Sequence, residues 1–100
     1  MRKLILFTGL IAIAACSAEI SPEAQLVRQV TPQMTEQCQF LGPVSGTELL
    51  GLTVADDANS ALNKLRNETA NRGGNAFVLS NTTSSLDGSI AQGDAYSCPN

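Results

Sequence analysis

The side chains of this chain best equipped for chemistry are three cysteines, Cys16, Cys38 and Cys98, and nine carboxylates. Thiolates attack electrophiles, pair as disulfides or hold soft metals, and two converging carboxylates can run acid–base hydrolysis. The chain has no histidine, which removes imidazole zinc sites, Ser-His-Asp triads and Cys-His pairs. No two cysteines stand at Cys-x-x-Cys spacing, so a redox or metal role for the thiols lacks its motif. Asp56 and Asp57 are adjacent, but no third carboxylate follows at EF-hand spacing, and neighbouring acids ahead of an apolar-periodic stretch read as helix caps. Nothing marks two of the acids as converging, which leaves a small carboxylate hydrolase as the weakest reading. Gly42, Gly46 and Gly51 are followed by no Gly-Lys-Ser/Thr and read as turns, not as a phosphate loop. The sequence therefore predicts no catalytic residue, no metal site and no cofactor.

At 100 residues, 43% apolar and 15% charged, the chain has material for one small domain. A net charge of -3 and a pI near 4.6 lack the basic footprint that nucleic-acid binding needs, so no nucleic-acid partner is expected.

The N-terminus carries an address. Met1-Arg2-Lys3 precedes an apolar run at 4–15, interrupted by Thr8 and Gly9, and Cys16 follows. A basic start, a short apolar stretch and small residues before a cleavage point are the grammar of export, and the run falls short of the roughly 18 to 20 apolar residues a span needs. Ile13-Ala14-Ala15-Cys16 resembles the lipobox of bacterial lipoproteins, in which a diacylglycerol is joined to the Cys thiol before cleavage in front of it. The resemblance implies a signal peptide at 1–15, lipidation of Cys16, a tether at 16–23 and a periplasmic domain at 24–100. An ordinary secreted protein, cut after an Ala-x-Ala-like site with Cys16 free, is the alternative. Ser17 looks like the residue type that permits sorting to the outer membrane of a Gram-negative host. Each buried acyl CH₂ contributes about 0.8 kcal/mol, so two or three chains anchor permanently. Without Arg2 and Lys3, four bases stand against nine acids, a net charge of -5. The membrane is thus expected to be held by lipid and not by the protein surface.

If Cys16 carries lipid, Cys38 and Cys98 remain as an even pair in an oxidising compartment, and a disulfide between them is the default. Its closed loop is worth about 4 kcal/mol on the chain-entropy model, a large share of the stability of so small a domain.

Around these residues the chain reads as strand, strand, helix, strand, strand. A first strand is expected at 24–30, a polar turn at 33–37, and a second strand from Cys38 to about 44, with Phe40 beside the disulfide and Pro43 confining the strand to an edge or a bulge. Residues 45–55 have no clean period and read as a loop. Its Leu49, Leu50 and Leu52 read first as satellite core and otherwise as an interaction surface, the one to test first. A helix is expected at 57–72, with Ala58, Ala61, Leu62, Leu65 and Thr69 on one stripe and Gly73-Gly74 ending it. A buried strand at 76–80, a surface connection at 82–89 and a last strand at 90–98, bulged near Gly93, complete the order. Tyr96 shares the parity of Cys98 and is read as packing there. This order predicts a single α+β domain: an antiparallel or mixed four-stranded sheet, one helix on one face, and the disulfide joining the second strand to the last.

The blocks Cys38-Gln39-Phe40-Leu41-Gly42, Leu65-Arg66-Asn67 leading to Gly73-Gly74-Asn75, and Ala95-Tyr96-Ser97-Cys98, in that order behind the lipobox-like start, resemble the small bacterial lipoproteins grouped as domain of unknown function 4156. The resemblance spans about residues 24–98 and implies no activity and no catalytic residues. More distantly the chain is similar to RcsF-type lipoproteins, disulfide-bonded sensors of envelope stress. The expectation is a lipid-anchored, non-enzymatic binding module of the outer membrane with an envelope protein as partner; an input to a stress relay is the alternative.

Overall fold

The computed structural model describes residues 20–49 and 54–99. A two-residue strand, a ten-residue strand and a helix precede a long hairpin: β1 (Arg28–Gln29), β2 (Gln39–Glu48), α1 (Val54–Asn71), β3 (Ala76–Ser85) and β4 (Gly88–Ser97), with 3-10 turns at Ala24–Leu26 and Pro32–Thr35. The sheet order is β1-β3-β4-β2. β1 runs parallel to β3 over two residue pairs, and the other pairings are antiparallel. β2, α1 and β3 thus form a split β-α-β unit with β4 inserted between its strands. The α+β class, the single helix and the mixed four-stranded sheet agree with the sequence expectation.

One face of the sheet is covered because its residues are small. β4 buries Ser89, Ala91, Gly93 and Ala95 in strict alternation and turns Ile90 and Gln92 outward. α1 lies over the small side chains with Ala61, Leu65 and Thr69, spaced by four, fully buried. Val27, Val44 and Phe77 complete the core, and the buried Thr69 hydroxyl is satisfied by donating to the Leu65 carbonyl at 3.0 Å. The closest approach is at Gly46: a Cβ there would run into the Ala61 carbonyl oxygen and stand 2.7 Å from the Leu65 nitrogen. Gly46 is therefore a strand residue that lets the helix down onto the sheet, not a turn.

Several boundaries depart from the sequence expectation. The strand expected at 24–30 shrinks to Arg28–Gln29, because the Ser21 carbonyl and hydroxyl accept from the Gln25 and Ala24 amides and wind the preceding residues into a 3-10 turn. β2 continues through Pro43 to Glu48, where a loop was expected; Pro43 is tolerated because β2 is the outer strand of the sheet. The helix starts at Val54, so Asp56 and Asp57 lie inside its first turn and favour its positive end without being the cap. The segment 82–89 is no surface connection. β3 runs to Ser85, a tight turn at Leu86-Asp87 follows, and Gly88, at φ 133°, returns the chain into β4. The bulges fall in β2 near Leu41 and in β3 near Ser80, whereas Gly93 is paired in register with both Val44 and Leu79. The bulge expected in β4 is thus in its neighbours, and β3, through Val78 and Leu79, closes over the space a Gly93 side chain would fill.

Candidate functional site

The disulfide end of the sheet is built from four separate stretches of chain. Cys38 immediately precedes β2 and Cys98 immediately follows β4, one step beyond the last partners, Gln39 and Ser97. The two cysteines are joined, with Cα atoms 4.2 Å apart across a separation of 60 residues. The bond therefore closes the open end of a ladder that already exists, as the sequence predicts. Beside it, Phe40 and Tyr96 are register partners on the uncovered face and meet edge-to-face at 5.6 Å.

The helix delivers the third stretch through a Schellman motif. The Gly74 amide donates to the Thr69 carbonyl and the Gly73 amide to the Ala70 carbonyl, both at 2.9 Å, with Gly73 at φ 83°. Gly74 also has no room for a side chain, since a Cβ would lie 2.9 Å from the Tyr96 carbonyl oxygen. Asn75 then acts as a clamp. Its side-chain Nδ2 donates to the Cys98 carbonyl at 2.9 Å and its Oδ1 accepts from the Cys98 amide at 2.8 Å, so the side chain mimics one more residue of a β-ladder. Its own amide donates to the Tyr96 carbonyl, and its carbonyl accepts from the Arg28 amide. Composition and periodicity mark Asn75 only as the residue opening a strand; the signal that finds its role is its place directly after the helix-ending Gly-Gly.

The N-terminal stretch arrives at the same helix. The Ser21 amide donates to Asn67 Oδ1 at 2.9 Å, so the segment expected as tether is already docked at Ser21. Arg66, one residue earlier, holds its guanidinium 5.8 Å from the centre of the Phe77 ring.

Large apolar side chains stand exposed at both ends, with Leu26, Met34 and Phe40 toward the clamp and two leucines at the opposite end. Leu49 is 63% exposed and the hairpin-tip Leu86 is 93% exposed. Leu49 is therefore no satellite core residue, as first read, and it stands beside the hairpin: a Cβ on Gly88 would meet its Cδ2 at 3.0 Å. Leu50 and Leu52 lie outside the described residues, as does Cys16. Leu86, the most exposed large apolar residue described here, was missed because a lone Leu in a polar stretch has no periodicity to betray it. Glu48 pairs with Lys64 at 2.9 Å, and Lys64 also donates to the Thr47 carbonyl.

Two cavities flank this half of the sheet. A shallow one of about 420 Å³ on the uncovered face is lined by Pro43, Ser45, Ser80, Gln92 and Asp94 among others, with Asp94 its one carboxylate. The second, of about 220 Å³, sits between α1 and β3–β4 and includes Leu62, Leu79, Thr82 and Ser84 in its walls. Among the described residues no three His, Cys, Asp or Glu side chains converge as a metal site, and no helix is long and apolar enough to cross a membrane.

These features define a disulfide-clamped α+β domain, one helix on a split β-α-β sheet. Residues 18–98 match the family model described as Domain of unknown function (DUF4156), and the chain belongs to that family. The blocks that carry the resemblance, around Cys38, Asn67, Gly73-Gly74-Asn75 and Tyr96-Cys98, are those that meet at the clamped end. No curated protein and no solved structure matches the chain.

Proposed function

We propose that the protein is a lipid-anchored component of the bacterial cell envelope, attached through Cys16 to the periplasmic face of the outer membrane, and that its domain is a non-enzymatic module that binds another envelope protein. The observation that carries this reading is the lipobox-like Ile13-Ala14-Ala15-Cys16 followed, five residues on, by the docking of Ser21 onto Asn67 of α1. Five extended residues reach about 17 Å, so lipid on Cys16 keeps the domain against the bilayer. The acidic surface left after cleavage gives no competing attraction to anionic lipid. The interaction role draws support from Leu49, exposed at the end of the sheet away from the clamp.

Fractionation of cells carrying the native chain and Cys16→Ser tests the anchor: the native protein is expected with outer membranes and the variant in the soluble periplasmic fraction or uncleaved. A native protein found free in the soluble fraction would refute it. Crosslinking in intact cells, with Leu49→Asp as the comparison, should recover one specific envelope protein that the variant loses. Repeated recovery of none would count against the binding role.

A further inference from the structure

The two outer edges of the sheet are built differently. β2 carries Pro43, a bulge next to Gly42 at φ 119° and a terminal Glu48, devices that discourage another strand from adding. β3 is covered by β1 only at Ala76 and Phe77. Beyond Phe77 no described strand pairs with its outer side, and the run Ser80-Asn81-Thr82-Thr83-Ser84-Ser85 contains no charge, no proline and no glycine. From Asn81 to Ser85 the ladder with β4 is regular, between the Ser80 bulge and the hairpin turn.

We propose that this edge is where a second copy of the chain docks, the two β3 strands pairing antiparallel about a two-fold axis at Thr83. Asn81 then faces Ser85 of the second copy, and Thr82 faces its Ser84. A neutral segment suits such self-pairing, because no like charges are stacked across the axis. Asp87 of one copy falls opposite Leu79 of the other, so the two Asp87 carboxylates end at opposite ends of the new ladder. The register also ends before β1: the tip of the second copy reaches Leu79 and stops short of Phe77, whose carbonyl accepts from the Val30 amide.

The same register accounts for the exposed Leu86. It follows Thr82 and Ser84 in strand parity, which is the helix-covered face, and it comes to lie beside Leu79 of the other copy. There the 220 Å³ cavity, walled by Leu62, Leu79 and Thr82, offers apolar volume of the size a leucine side chain needs. Each copy thus contributes one apolar key and one lock, and the pairing joins two sheets with both helices on one side. This contact does not depend on the lipid anchor.

Thr83→Cys in the full-length chain tests the proposal. Paired residues of an antiparallel ladder hold their Cα atoms about 4.5 to 5.5 Å apart, within disulfide reach. Under mild oxidation, the variant should give a reductant-sensitive band at twice the monomer mass, at least about tenfold above Ser45→Cys on the β2 edge. Adding Leu86→Asp removes both keys of the two-fold contact and should lower that yield by roughly a hundredfold, about tenfold for each leucine lost. Equal yields from the two cysteine positions would overturn the proposal. So would a Thr83→Cys adduct whose mass belongs to a different protein, or a dimer yield that Leu86→Asp leaves unchanged. Thermal melts of each variant matching the native chain establish that folding is intact.

Discussion

At the end of the sheet where Cys38 meets Cys98, every arriving segment is tied. The helix stops on two glycines, Asn75 holds Cys98 by both its backbone groups, and Ser21 is fastened to Asn67. At the hairpin end, Thr82, Thr83, Ser84, Ser85, Leu86 and Asp87 are all exposed, and the helix meets the sheet over alanines and serines that leave a cavity. Small side chains let α1 approach closely at Gly46, but they bury little apolar area per residue. The contrast teaches that stability in this domain is concentrated where the chain is cross-linked, and that the opposite end is free to present surface.

Removing the disulfide should break that contrast most severely. Cys38→Ser with Cys98→Ser, or reduction of the native chain, is expected to cost about 4 kcal/mol and to lower the melting temperature by on the order of 20 °C. Thermal unfolding with and without reductant measures it. Gly46→Ala comes next, because the added methyl meets helix backbone that cannot yield as a side chain would; about 3 kcal/mol of destabilisation is expected by chemical denaturation. Asn75→Ala leaves the Cys98 amide and carbonyl without their partner and should cost about 2 kcal/mol. Asn75→Asp, which keeps the acceptor but not the donor, should fall between that variant and the native chain. The smallest effect belongs to the hairpin end: Glu48→Gln weakens a half-exposed ion pair and should cost about 0.5 kcal/mol, less in high salt. A loss from Glu48→Gln as large as that from Asn75→Ala would erase the distinction between the ends.

Legible in the sequence were the features with a strong local or arithmetic signature. The stripe Ala61, Leu65, Thr69 marked the helix face, Gly73-Gly74 its end, and the cysteines at 38 and 98 the crosslink. What stayed hidden was decided by neighbours. Gly46 resembles a turn residue until the helix is laid on it. Thr82 to Ser85 resemble a loop because an uncovered edge strand needs few apolar residues, and the segment at 24–30 alternates like a strand although Ser21 caps part of it into a 3-10 turn. Within the candidate surface, the exposure of Leu49 follows from the length of β2, which no period in the glycine-bearing stretch announces.

Peptide mass analysis of the protein taken from membranes, alkylated without reductant, tests the account most directly. It should return an N-terminal peptide beginning at Cys16 and heavier by two or three acyl chains, together with a single cross-linked pair containing Cys38 and Cys98. An unacylated Cys16, or alkyl groups on Cys38 and Cys98, would contradict it.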